Sequence, residues 1–459
     1  MNPLALFFFL ICAVALLTVP RKWAPAALLA GSIYMTLGQG IEIASINLPV
    51  YRMMLFVGVV RSVIKSEMPS GGLNTIDKLV IAWSFWMIVA GFFHDPERAG
   101  VIYHLGSVYN LSVVYFLMRA WCSNLEEVGD VVIIIALLLV PLAIEMLMEK
   151  ASGKNLFSVF GGVSEYVQIR EGKLRAQGPF LHPILAGTVG ATCIPLFVGI
   201  YSKSRSVGIL GITAGLVMVF ASASSGPVMS LIFGVGSLLL WSKRQYLKNL
   251  RITALVTYLI LMVTMTRPPY YLISRIDISG GSTGWHRCFL IEQTFKYLSE
   301  WWLFGTDETK HWMPMQGTAM DPHHTDVTNY YIGFGILGGL PAMLAVIAIV
   351  LIAFNWVGKI MNSIGEGSPN QEFMIYCFGA SLFAHATTSI SVAYFDQSML
   401  FFWLTVAVIS STYANSLSSS EEEAQLQLDE ATHFSNNIEN ELIPDIEWRR
   451  KMFSLNRTE

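Results

Sequence analysis

Apolar stretches close to the thickness of a bilayer core recur along this chain, from its first residues to about residue 414. A helix rises about 1.5 Å per residue, so roughly 20 apolar residues cross the hydrocarbon layer. Stretches near that length lie at 3–19, 23–41, 49–64, 79–93, 101–118, 130–148, 180–201, 206–221, 227–241, 252–266, 330–354, 372–391 and 398–414. The expected fold is all-α, a polytopic transmembrane helical bundle of about 12–13 spans, because lipid requires every backbone polar group to be bonded within the segment. Only 13% of the residues are charged. A soluble chain carries about twice that share, so an assembly of soluble domains is excluded. The expected partner is the lipid bilayer. No nucleic-acid partner is expected.

The first apolar stretch has no basic residue before it and no small-residue cleavage pattern after it, and Arg21 and Lys22 follow directly. It reads as a retained helix rather than a signal peptide. The five cysteines (12, 122, 193, 288 and 377) show no paired spacing, so neither a disulfide framework nor a zinc site is indicated.

Lys and Arg sort between alternate loops. One set holds Arg21, Lys22, Arg61, Lys65, Lys78, Arg119, Lys203, Arg205, Lys243, Arg244, Lys248, Arg251 and Lys359; the short loops of the other set are nearly bare. The positive-inside rule makes the first set cytoplasmic, with the N-terminus outside and the C-terminus inside. Two longer loops, 149–179 and 267–329, then fall outside and carry Lys150, Lys154, Arg170, Lys173, Arg175, Arg267, Arg275, Arg287, Lys296 and Lys310. Long loops are partly exempt from the rule, so these cations are either tolerated or present for an anionic ligand such as lipid-linked phosphate. Residues 416–459 form a second region, with ten acids against four bases, expected as a disordered cytoplasmic tail behind the membrane domain of residues 1–415.

Within the second long loop, residues 284–305 place Trp285, Phe289, Phe295, Leu298 and Trp302 at three- to four-residue spacing, with charges between them. That spacing predicts an amphipathic helix, lying in the outer interface or packed on the bundle. It holds Arg287 near the headgroup level, where a guanidinium fork suits a diphosphate. Next, His323, His324, Asp326, Thr328 and Asn329 precede an apolar helix rich in glycine; Asp326 or Thr328 is placed to cap it. Adjacent histidines rarely hold one ion well and no further ligand cluster follows, so no metal is assigned. A single histidine serving as proton acceptor asks for less. Before the 180–201 stretch, Arg175, Gly178, Pro179 and His182-Pro183 mark a tight turn into the membrane. Glu145 and Glu149, one helical turn apart near the end of a span, read either as functional acids or as partners of Lys150.

Taken in order, these stretches resemble the O-antigen ligase and polysaccharide polymerase superfamily. The residues that carry the resemblance are Arg175-Ala-Gln-Gly178-Pro-Phe180, the turn Ser224-Ser225-Gly226, Arg287 ahead of an aromatic helix ending in Phe304-Gly305, and His324 eleven residues before Gly335-Ile-Leu-Gly338. They span roughly 165–345; elsewhere the likeness is one of hydropathy. The resemblance implies a multi-pass glycosyltransferase of a bacterial inner membrane, needing no cofactor or divalent metal, that moves glycan from undecaprenyl diphosphate on the periplasmic face. Its partners would be the lipid-linked glycan donor, a glycan or lipid-linked acceptor, and other polysaccharide assembly proteins. Arg175 and Arg287 would bind the donor diphosphate, and His324 would orient or deprotonate the acceptor hydroxyl. Arg275, His323, Asp326, Asn329 and Gly178 would support them. Ser225 stands where the family has arginine, and Asp326-x-Thr-Asn329-x-Tyr331 is closer to polymerase-type members, which favours polymerisation over ligation. The competing reading is a lipid-linked oligosaccharide flippase or other polysaccharide transporter. Against it, the sequence shows no internal repeat, and the unusual charges lie in loops rather than at mid-membrane. A scaffold role would explain the acidic tail but not the Arg/His set.

Overall fold

The computed structural model describes residues 1–43, 46–95, 100–275, 284–313, 323–325, 327–364 and 368–417. Asp326 and the tail beyond residue 417 lie outside the described residues. In chain order come α1 (Pro3–Thr18), α2 (Ala24–Ile33), a β1–β2 hairpin (Gly40–Ile43, Ile46–Pro49), α3 (Val50–Ile64), α4 (Thr75–Gly91), α5 (Val101–Trp121) and α6 (Leu125–Ser152). A second hairpin, β3–β4 (Gln168–Arg170, Lys173–Arg175), leads into α7 (Pro183–Gly199), α8 (Arg205–Ser222), α9 (Ser225–Leu239) and α10 (Leu247–Thr264). Then follow α11 (Gly284–Lys296), α12 (Leu298–Trp301), α13 (Tyr330–Ile364), α14 (Pro369–Thr388) and α15 (Met399–Leu417). Among the described residues, seven helical stretches are long and apolar enough to cross a membrane. The molecule is a multi-pass, mostly helical membrane protein.

A helix meets each of the thirteen apolar stretches, but several are shorter than a span. The clearest departure is 23–41, where the helix ends at Ile33. Gly38 packs directly on the backbone of Gly162, so close that any Cβ there would collide with it. Gln39 Oε1 accepts the Asn2 N–H (2.7 Å), its Nε2 donates to the Phe160 carbonyl, and its backbone carbonyl accepts the Val50 N–H (2.9 Å). Tertiary contacts thus hold 34–40 as a turn despite its apolar composition.

At the centre lie α7, buried along nearly its whole length, and α15. Small residues let neighbours approach: the Gly190 and Gly215 backbones meet between α7 and α8. In contrast, α10 buries no residue and, beyond Arg251, is largely apolar. On the loop side of the bundle, α13 is broken at Gly338 and Gly339, and this break sets the position of the site. Gly339 has φ +71°, and a Cβ there would run into the Leu303 carbonyl. The freed backbone groups find other partners, as a break at membrane depth requires. Thr306 N–H donates to Ile336 O (2.8 Å), Trp86 Nε1 donates to Gly338 O (2.7 Å), and Leu340 N–H donates to Trp302 O (2.8 Å). The segment 302–306 is thereby fastened to the first turns of α13.

Candidate functional site

Two pieces of chain and a cavity build the site: the β3–β4 hairpin with the turn behind it, the α11–α12 helix with the turn behind it, and a largely apolar cavity with polar groups set into it, between the first turns of α3, α5, α13 and α15.

The hairpin pairs Gln168 with Arg175 and Arg170 with Lys173. From its last residue the chain turns into α7 through Gly178 (φ +57°), and the buried Glu149 carboxylate organises that turn. Glu149 Oε2 accepts the N–H groups of Gln177 (3.0 Å) and Gly178 (2.8 Å), while Glu145 Oε1 accepts that of Leu156 (3.0 Å). Neither acid bonds Lys150, whose ammonium donates to Leu174 O (2.7 Å). The two glutamates hold backbone in place.

Arg175 is buried, 6% exposed. Its Nη2 donates to Ser224 Oγ (2.8 Å), which joins two of the sequence motifs, and its buried Nε has no hydrogen-bond partner among the described residues. Burial and then the charge of Arg170 pull its guanidinium below the ordinary arginine value. Arg287, on α11, is in the same condition: its Nε is buried and unbonded, and burial followed by the charge of Arg170 lowers it too. Arg170 and Arg175 are also the charged neighbours of His182, whose Nδ1 accepts the Ile184 N–H (3.1 Å) at the start of α7. Arg170, on an exposed strand, is the common electrostatic neighbour of the buried Arg175 and the half-buried Arg287. Like charges and burial both raise the cost of such a cluster, and among the described residues no carboxylate lies within ion-pair distance of Arg175 or Arg287.

The amphipathic helix is shorter than its pattern predicts, since it breaks at Tyr297 between α11 and α12. Its inner face is Cys288, Leu290, Ile291 and Thr294, while Trp285, Phe295 and Trp302 are more than half exposed. The aromatic stripe faces outward, as an interfacial helix would, and the opposite face packs on the protein.

Behind that helix, Asp307 Oδ1 meets His94 Nδ1 (2.7 Å), and its Oδ2 accepts the Asp95 N–H (2.8 Å). Burial opposes ionisation of Asp307, but these bonds outweigh it, with the charges of His94 and His324 adding, and hold the carboxyl below its ordinary value. The next residues carry the histidine pair. His323 O accepts the N–H groups of Thr309 (3.0 Å) and Lys310 (2.9 Å), His323 Nδ1 meets Glu308 Oε1 (2.9 Å), and Thr325 N–H donates to Thr309 Oγ1 (2.9 Å).

His323, His324 and Thr325 form one wall of a cavity of about 780 Å³. Arg52, Ser107, Asn110 and Asp396 also line it. Asp396 is 2% exposed, and burial pushes its carboxyl up, against N–H bonds from Ser398 (2.8 Å) and Leu181 (2.9 Å). The Leu181 bond ties the cavity to the turn that follows Arg175.

Of the residues expected from sequence, Arg175 and Arg287 share the cationic cluster, and His323 and His324 line the cavity. Gly178 and Asn329 have structural work: Gly178 turns the chain, and Asn329 Oδ1 accepts the Ile332 N–H (3.0 Å), making it the cap of α13 in place of Asp326 or Thr328. Arg275 is exposed at the edge of the described residues. Sequence reasoning passed over Arg170, Arg52, Asp307 and Asp396. For Arg52 a signal existed, a cation inside an apolar stretch; the others announce themselves only through their neighbours. No protein-family model matches this chain, and no curated protein matches it.

Proposed function

We propose that this protein is a membrane glycosyltransferase that polymerises, or ligates, glycan carried on undecaprenyl diphosphate. The observation that supports the reading most strongly is the pair Arg175, buried, and Arg287, half-buried with a buried and unbonded Nε, far apart in sequence and sharing Arg170 as electrostatic neighbour. Cations drawn out of water with no carboxylate partner among the described residues suit an anion that arrives with the substrate, and an arginine fork matches a diphosphate.

In this reading the C1–oxygen bond of the donor sugar breaks and its electron pair leaves with the diphosphate. Arg175 and Arg287 stabilise the charge that develops there. A hydroxyl of the acceptor sugar, in the cavity, attacks C1 and forms the new glycosidic bond. His324 orients that hydroxyl and accepts its proton. The work is done on the periplasmic face of a bacterial inner membrane.

The test is complementation of a strain lacking this chain with Arg175→Ala, Arg287→Ala and His324→Ala, matched for protein level. Long-chain glycan is the readout. Loss of polymer with single repeat units accumulating on lipid identifies a polymerase, and loss of capped lipid A with intact lipid-linked polymer identifies a ligase. Normal glycan from all three variants refutes the assignment.

A further inference from the structure

The cavity contains a cation that the transfer reaction, as described, does not use. Arg52 sits in the first turn of α3 and lines the same cavity as His324. Its Nε donates to Asn110 Oδ1 (2.9 Å) and to Tyr51 Oη (3.2 Å), and Nη1 donates to Asn47 O (3.1 Å). All three partners are neutral, and among the described residues no carboxylate lies within ion-pair distance of this guanidinium. Two of its five N–H groups are bonded in this way, so three are left for a ligand. Gly106 of α5 gives the head group room: a Cβ there would stand 3.2 Å from Nη2. The surrounding wall is polar on one helical face, with Tyr103, Ser107 and Asn110 lining the cavity at the spacing of successive turns.

Asn47, Tyr51 and Asn110 thus fix one edge of a guanidinium beside a polar wall inside a sugar-sized space. A charge that only stabilised the fold would be expected to have a carboxylate partner, as Arg61 has in Glu67. We propose that the cavity binds an anionic sugar, with Arg52 reading the oxyanion while a hydroxyl of the same saccharide faces His324. The inference rests on the acceptor reading above and deepens it: the acceptor is a saccharide bearing a carboxylate or a phosphate. The shared chemistry is a compact oxyanion with two oxygens presented to N–H donors. A uronic acid supplies it within the sugar ring, and a phosphorylated sugar supplies it as a substituent.

Equilibrium dialysis of the purified full chain in lipid nanodiscs separates these sources. The probes are radiolabelled methyl glucuronide, glucose 6-phosphate and neutral methyl glucoside, with farnesyl diphosphate as a short donor mimic. Wild type is expected to bind one of the two anionic sugars at least about tenfold more tightly than the glucoside, the scale of one charge-assisted hydrogen bond. Preference for the glucuronide assigns a uronic acid, and preference for the phosphate a phosphorylated sugar. Arg52→Gln should remove that preference, Arg52→Lys should retain part of it, and both should bind farnesyl diphosphate as wild type does, which reports an intact fold. Arg175→Ala and Arg287→Ala should show the reverse pattern. The inference is overturned if neither anionic sugar is preferred by wild type, or if Arg52→Gln leaves the preference intact. Farnesyl diphosphate binding that ignores Arg175 and Arg287 would instead count against the donor site alone.

Discussion

At one end of the helical bundle Arg61 grips Glu67 at 2.7 Å, Arg119 lies 3.5 Å from Asp77, Lys203 meets Asp130 at 2.7 Å and Arg244 meets Glu372 at 2.7 Å. At the other end Arg52, Arg175 and Arg287 have no such carboxylate among the described residues, and are held by an amide, hydroxyls, a carbonyl or burial alone. The first arrangement satisfies charge inside the protein and needs nothing further. The second carries the cost of burial without internal compensation, which a bound anion would supply. Loop charges alike in composition therefore play different parts, and the difference is read from their partners rather than their number. The exposed Lys154–Glu165 pair (3.5 Å) shows that the second end has carboxylates to spare, yet they do not face the buried arginines.

The comparison is most directly broken by activity. Arg175→Ala or Arg287→Ala should lower glycan transfer by about 10²–10³-fold, as loss of one charge-stabilising donor does, without lowering the amount of folded protein. An assay with lipid-linked oligosaccharide and purified protein decides it; unfolding of both variants with wild-type specific activity in the folded fraction would place these arginines with the structural set. Arg61→Ala should behave in the opposite way. Glu67 would be left with Trp121 Nε1 as its remaining partner (2.8 Å), and stability should fall by about 3–5 kcal/mol while specific activity is kept. Denaturation in detergent measures that loss.

A smaller effect is expected at Asp307. Its carboxyl is held below the ordinary value, so the stability it contributes is present above pH ~4 and is lost as pH falls through the folded value. Asp307→Asn should lower the melting temperature at pH 7 by the equivalent of about 1–3 kcal/mol and flatten the acid limb of the profile. An acid limb identical in wild type and variant would remove Asp307 from the account. Smallest of all is Lys203→Ala at the paired end. That ion pair is about a third exposed on both sides, so no more than about 1 kcal/mol is expected and no change in transfer.

How far the site was legible depended on the kind of signal each residue leaves. Arg175 stood out at a tight turn into the membrane, Arg287 on an aromatic amphipathic helix, and His324 as a titratable group before a glycine-rich helix. Arg170 was visible among the same loop charges but had nothing to set it apart from Lys173 or Lys154. The aromatic spacing of 284–302 predicts a helix correctly but not its break at Tyr297 or its buried face, because Cys288 and Thr294 pack on the protein while the larger rings turn outward. Asn329 read as a supporting site residue, and its hydrogen bond to Ile332 makes it a cap. The bridge from Glu145 and Glu149 to Lys150 failed for a similar reason: backbone N–H groups distant in sequence took the carboxylates.

The sequence by itself determined that this chain lives in a membrane as a bundle of helices, because apolar length and scarce charge leave lipid as the only solvent that suits it. It also marked which loops gather cations. Only the tertiary structure decided which of those cations are paired, since an arginine's partner is set by segments that meet after folding. The broken α13 is the physical reason the site exists in this form. Gly338 and Gly339 release backbone groups that fasten the 302–306 turn, and Thr306 of that turn lines one cavity with His323, His324 and Arg52.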